Sequence, residues 1–248
     1  IYFFVLAYGG MVMQSVMEEK TNRIVELMVS SVKPFQLMMG KIVGVALVGF
    51  VQLIIWAAML AAILGVCWHI FGVDPATTPE ATALTAGGPA MAEAAVDGSG
   101  EMMAALMNLP FAELGIMFVL YFVGGYLLYA SFFAAVGASI NAQEDSSQFI
   151  MPTTIVMIFG LYAGIYGAEN PDGPLAFWSS MFPLTSPIVM MVRIPFSVPL
   201  WQELLSLALL YGTALLFVWL SGKIYRVGIL MYGKKPTFKE MAKWLRYK

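Results

Sequence analysis

The sequence predicts an all-α, polytopic transmembrane helical bundle, and three observations carry that prediction. Of 248 residues, 60% are hydrophobic and 11% charged, with a mean hydropathy of +0.81; soluble domains hold roughly 45–50% apolar and about 25% charged residues. Charge-free apolar runs recur at the ~20-residue length that a helix needs to cross a bilayer core about 30 Å thick. The Lys and Arg residues are segregated rather than scattered. A chain of this kind has too much apolar surface for one aqueous core and needs lipid as its solvent.

In chain order, residues 1–17 form a truncated first span that ends at Glu18-Glu19-Lys20. Residues 42–68 run without a charge, residues 114–143 and 146–168 are parted by Glu144-Asp145, and residues 204–222 form the last span. Buried helices of a large soluble protein are the alternative, but globular helices average only about 11–12 residues. The chain begins at Ile1 inside an apolar run, without Met. That start predicts a fragment whose N-terminal part is missing.

Orientation follows from the basic residues. Lys20, Arg23, Lys33 and Lys41 lie in the 18–41 connection; eight more lie in the 223–248 tail, and only Arg193 falls elsewhere. With five spans, the 18–41 loop and the tail share one side, which the positive-inside rule makes cytoplasmic. The expected location is the cell membrane, multi-pass. Segment 69–113 has six acidic residues and no Lys or Arg, and reads as a flexible outer loop. Segment 169–203 carries Pro171, Pro174, Pro183, Pro187, Pro195 and Pro199. It reads as an outer segment of short interfacial helices or a re-entrant hairpin buried against protein.

Several chemistries find no support. There is no GxxxxGK[ST], since Gly40-Lys41 is followed by Ile42, and no HExxH. A single cysteine, Cys67, excludes an internal disulfide, and a single histidine, His69, excludes two-histidine zinc motifs. The five runs hold no Asp, Glu, Lys, Arg or His, whereas ion-coupled carriers place ionisable groups in the membrane. No catalytic constellation, cofactor site or metal site is expected in this chain, and no nucleic-acid partner. Active transport would draw its energy from a partner.

The most informative segment is EEKTNRIVELMVSSVKPFQLMMGK, residues 18–41. At helical spacing Glu18, Glu19, Asn22, Arg23, Glu26 and Ser30 share one face, with Ile24, Leu27 and Met28 opposite. Glu19–Arg23 is an i,i+4 pair and Arg23–Glu26 an i,i+3 pair. Ser30-Ser31 loosens the helix and Pro34 suits the first turn of the next. These residues alone predict an amphipathic helix that leads through a break into a span. They leave open whether its charged face is merely solvated or docks a protein.

The string Glu-Glu-Lys-x-x-Arg-Ile-x-Glu, then Ser31-x-x-Pro34 and Gly40-Lys41, resembles the loop between the second and third spans of ABC type-2 permeases, most of all the sodium-extrusion branch. The resemblance covers the whole chain. It implies a type-2 exporter permease with five of an expected six spans present. It further implies partnership with a separate ABC ATPase that holds ATP and Mg, and with a second permease copy or a related permease in the lipid bilayer. By that resemblance Glu18, Glu19, Arg23 and Glu26 would contact the ATPase, Pro34 would set the break and Lys41 the end of the next span. The implied function is ATP-driven efflux, with sodium as the branch's solute. A non-transporting scaffold or sensor subunit and a membrane-embedded enzyme are the rival readings.

Smaller features complete the reading. Gly40-x-x-x-Gly44, Gly160-x-x-x-Gly164 and Ala134-x-x-x-Ala138 permit close helix approach, within one subunit or at a dimer seam. Residues 143–148 read as a solvated turn. Arg193 is expected to pair with a carboxylate such as Glu169 or Glu203, or to reach a lipid headgroup. Thr237-x-x-Glu240 fits a capping box and predicts a short helix in the tail that lies on the inner leaflet.

Overall fold

Backbone polar groups in hydrocarbon must find partners within their own segment, and these apolar runs accordingly close into helices. The computed structural model describes residues 1–22, 32–71, 111–140, 146–229 and 231. Arg23, Glu26, most of the 69–113 loop, Gln143–Asp145 and the tail beyond 231 lie outside the described residues, as do the side chains of Cys67 and His69. Among the described residues there are seven α-helices and no strand. They are α1 (Tyr2–Thr21), α2 (Pro34–Phe71), α3 (Phe111–Ser139), α4 (Ser146–Glu169), α5 (Pro174–Met181), α6 (Ser186–Arg193) and α7 (Leu200–Gly228). Four are long and apolar enough to cross a membrane, over Pro34–Ile63, Glu113–Ser139, Ser146–Glu169 and Leu200–Gly228. The 20-residue α1 ends in the charged Glu18-Glu19-Lys20.

The chain divides into two compact units, residues 1–49 with 112–248, and residues 50–111. Within the second, the described residues continue α2 to Phe71. In the first unit α3 is the central element: 61% of its apolar window is buried, against 33% for α4 and for α7. Its two faces differ in side-chain size. Tyr126, Ala130, Ala134 and Ala138 recur every fourth residue and pack on Val12 and Val16 of α1, Met38 and Ile42 of α2, and Val218 and Tyr225 of α7. The larger Tyr121, Leu128, Tyr129 and Phe133 belong to a second cluster with Phe149 and Met157 of α4 and Leu207 and Leu210 of α7. The alanine face lets neighbouring helices approach closely, which is how packing proceeds where lipid removes the hydrophobic drive between helices.

α1 and α3 approach closely enough to bring backbone against backbone. A Cβ built on Gly137 would lie 2.6 Å from the Met13 carbonyl oxygen and 3.1 Å from its Cα. No side chain fits there without moving a helix. Gly160 and Gly164 face the α5–α6 region of the same chain, through Thr185, Ile188 and Val192. This pair packs within one subunit. At Gly40 and Gly44 an added Cβ would meet nothing within 4 Å.

After α4 the chain folds back on itself as a helical hairpin. α5 starts beside Gly167, where Ala176 makes contact, and the turn at Thr185 lies beside Gly160. α6 then runs back along α4, Ile188 against Gly160 and Gly164, and Arg193 against Gly167. The excursion covers seven residues of α4, about 10 Å at 1.5 Å per residue. Its polar groups are satisfied locally. Thr185 Oγ1 donates to Ser179 O at 2.6 Å, Ser206 Oγ to Ser180 O at 2.7 Å, and Tyr129 Oη to Leu184 O at 2.6 Å. Ser197, with φ 59°, turns the chain towards α7, whose N-cap is Pro199.

The Gly137 contact makes a quantitative test. Gly137→Val should lower stability by about 1–3 kcal/mol, the usual cost of overpacking, seen as a lower Tm in detergent. Gly212→Ala, where an added Cβ meets nothing within 4 Å, should hold or raise the Tm, since Ala is the better helix former.

Candidate functional site

The buried face of α1 repeats at three- and four-residue steps: Val5, Gly9, Val12, Val16 and, one turn further, Lys20. The lysine therefore points inward with the apolar residues and is 1% exposed. Its ammonium donates to Ala138 O at 2.7 Å, to Gly228 O at 2.9 Å and, more weakly, to Ser139 O at 3.4 Å. Ala138 and Ser139 close α3, and Gly228 closes α7. Helix ends leave their last four carbonyls without intrahelical partners, and the macrodipole makes that end negative. A single cation thus caps two helices with the end of a third. Burial pushes the Lys20 pKa down to about 8, while the carbonyl acceptors around the nitrogen favour the ammonium form.

The neighbouring Glu19 joins α1 to α2. Its Oε2 lies 2.6 Å from Lys41 Nζ, with side chains 25% and 10% exposed, and Lys41 also donates to Ser15 O at 2.8 Å. Pro34 is the first residue of α2, with Gln36 N–H bonded to Lys33 O at 2.9 Å. Phe35 packs its ring on Gly222 of α7. Tyr126 of α3 donates to Ile42 O at 2.8 Å. Of the six residues singled out for coupling, the structure brings Glu19 and Lys41 together, puts Pro34 at a helix start and leaves Glu18 exposed. Arg23 and Glu26 lie outside the described residues. Lys20 was missed as a buried group. The signal for it was the three–four stripe of α1, which continues past the nominal end of the span.

At the far end of α3 and α7 the hairpin holds Arg193, which is 1% exposed. The expected pairing with Glu169 or Glu203, or with a headgroup, is not what forms. Nε donates to Pro171 O at 2.7 Å, Nη1 to Ser180 Oγ at 2.6 Å and Nη2 to Gln202 Oε1 at 3.2 Å. Successive helical residues point about 100° apart, so with Gln202 turned to the guanidinium its neighbour Glu203 faces elsewhere. Among the described residues no three His, Cys, Asp or Glu side chains gather as a metal site. An apolar cavity of about 220 Å³ lies between α3, α4 and α7, lined by residues including Tyr129, Pro152 and Phe217.

Membrane-length helices around a central α3, tied at one end by buried charge, define a multi-pass helical membrane protein. Residues 1–223 match the family described as ABC-2 family transporter protein, and the chain belongs to that family. It is 30% identical over 251 residues to the uncharacterized protein YhaP of Bacillus subtilis (strain 168), covering 99% of this chain and 53% of that protein. It is 27% identical over 244 residues to the uncharacterized protein MJ1024 of Methanocaldococcus jannaschii, covering 98% and 51%. The chain spans about half the length of these curated relatives. No solved structure matches it. Family and fold together make this a multi-pass helical membrane protein of the ABC-2 transporter family.

Substitutions at Lys20, Glu19 and Lys41 probe the tied end. Lys20→Met strips three buried carbonyls of their cation; hydrogen bonds to charged groups contribute ~1.5–3 kcal/mol, and a loss of at least about 2 kcal/mol in thermal unfolding is expected. Lys20→Arg should retain part of it. For the ion pair, Glu19→Lys and Lys41→Glu should each lower the Tm, and the double variant should recover most of the loss, as a double-mutant cycle measures.

Proposed function

We propose that this chain is the membrane-spanning subunit of an ATP-driven exporter, worked through the segment that follows α1. The observation that supports this reading most is the tethering of α1's charged end: Lys20 to the ends of α3 and α7, and Glu19 to Lys41 of α2. Displacement of residues 18–41 would act on three further helices at once, because none of these tethers is a flexible side chain in water. Hydrolysis would occur in a separate ABC ATPase, which supplies ATP and Mg, and the permease would pair with a second copy or a related permease. Glu18, Glu19, Arg23 and Glu26 present the charge that such a partner would meet, with Pro34 and Lys41 fixing the start of α2. On this reading the 18–41 segment and the basic tail face the cytoplasm, and the α5–α6 hairpin faces outward. Sodium is the solute that the family branch suggests.

Three measurements test the proposal. Co-purification with the ATPase followed by ATP-dependent flux into vesicles should show both binding and transport; binding without flux of any solute would favour a scaffold subunit instead. Reversing Arg23 and Glu26 together (Arg23→Glu, Glu26→Arg) should abolish stimulation of the ATPase while leaving the Tm near wild type, since a pair at i,i+3 spacing contributes only ~0.2–0.5 kcal/mol. Assembly and stimulation both surviving would remove the coupling role. Impermeant thiol labelling of cysteines placed at positions 23 and 248 should find both on the cytoplasmic face.

A further inference from the structure

The cavity of about 220 Å³ between α3, α4 and α7 is bordered by the tip of the α5–α6 hairpin, through Leu184. Its floor is buried: Leu128, Tyr129 and Thr153 are 1%, 3% and 8% exposed. Its mouth is open. Pro152 of α4 is exposed, and Phe132 and Phe217, whose ring centroids lie 6.4 Å apart, are half-buried. The adjoining Met151 and Ile155 of α4 and Leu216 of α7 are 67%, 61% and 53% exposed, so the mouth lies on the apolar outer surface of the bundle. Its depth agrees with that. Phe132 is seven residues from the end of α3 and Pro152 six from the start of α4. Those steps are about 9–10 Å along each helix, which puts the mouth inside a hydrocarbon core about 30 Å thick.

The lining presents almost nothing but carbon. The two hydroxyls that border it commit their protons elsewhere, Tyr129 Oη to Leu184 O at 2.6 Å and Thr153 Oγ1 to Phe149 O at 3.3 Å. Enclosed water needs about 2–4 polar partners, and apolar cavities of ~150 Å³ stay dry and take hydrocarbon instead. An ion or a polar solute would lose its hydration here and gain no partner. A further helix, about 10–12 Å across with its side chains, is too wide to enter. The occupant that fits is slender, apolar and already present at the mouth: a chain of the surrounding bilayer.

We propose that this pocket is a binding site for one acyl chain of a bilayer lipid, inserted between α4 and α7 and seated against Leu128 and Tyr129 of α3 beside the hairpin tip. The site goes beyond the coupling reading and stands without it, because its occupancy requires neither an ATPase nor flux.

The full chain in phosphatidylcholine nanodiscs, without ATPase, tests it with a phosphatidylcholine whose acyl chain ends in a diazirine, photolysed and mapped by peptide mass spectrometry. Adducts should form on Leu128, Tyr129 or Thr153, which lipid around the bundle does not reach, as well as on the lipid-facing Ile155. Val156 is half-buried in the lining. Val156→Phe should lower the floor adducts about tenfold, equivalent to burying two fewer methylene groups of the chain, and leave labelling of Ile155 unchanged. Thr153→Met fills the pocket from its floor and should do the same, which keeps the test decisive if Val156→Phe lowers the Tm. Adducts confined to lipid-facing residues would overturn the proposal, as would floor adducts that survive both filling variants. So would a disulfide between two copies carrying Val156→Cys in a Cys67→Ser background, which would assign the mouth to a second protein chain.

Discussion

The ammonium of Lys20 in its ring of carbonyls is the constraint on which this end of the bundle depends. Three helices stop within reach of one nitrogen: α1 supplies it, and α3 and α7 supply Ala138 O and Gly228 O at 2.7 and 2.9 Å. Helix C-termini brought together without a counter-charge would repel through their aligned dipoles and leave carbonyls unbonded in a dry place. The cation removes both penalties. It also sets geometry, since an ammonium can serve all its acceptors only when the helix ends keep their relative height. The alanine face of α3 and the Gly137–Met13 approach then follow, because α1 must lie close to α3 for a lysine at its end to reach Ala138.

Legibility in the sequence was uneven, for physical reasons. Long helices could be read from charge-free runs because lipid forbids anything else at that length. Residues 18–41 were legible as a family-like string, and the family is the one that matches. Lys20 and Glu203 were not seen as buried, because counting uncharged residues stops a span at the first charge. Helical phase does not stop there. Lys20 continues the stripe of Val12 and Val16, and Glu203 heads the stripe of Leu207, Leu210 and Ala214. Carrying the three–four repeat one turn beyond each apolar run would have placed both indoors. Arg193 shows a different failure. Its partners are a backbone carbonyl, a serine hydroxyl and an amide oxygen, and charge complementarity alone points to carboxylates instead. The hairpin was readable only as proline-punctuated apolar sequence, since two eight-residue helices carry too little periodicity to declare a direction, and what holds them is a set of serine and threonine hydroxyls bonded to carbonyls.

The two ends of the bundle differ in how their buried groups are met. At one, a cation meets an excess of carbonyl acceptors and is satisfied; at the other, the buried carboxyl of Glu203 receives no hydrogen bond. Both rest on the same helix pair. α3 carries Glu113 and Tyr121 towards the hairpin and Ala138 towards Lys20, while α7 carries Glu203 in its first turn and Gly228 in its last. From Glu203 to Gly228 is twenty-five residues, about 37 Å of helix at 1.5 Å per residue. α3 and α7 are also cross-linked along their length, by Tyr211 Oη to Leu120 O at 3.0 Å and by Leu210 against Gly124.

A packed helix pair of this kind resists bending more than tilting, because interiors are close-packed and yield by discrete shifts rather than by compression. Force applied at Lys20 would therefore be delivered as a change in relative height or tilt of α3 and α7 at their other ends, where Tyr121 bonds the Glu203 backbone.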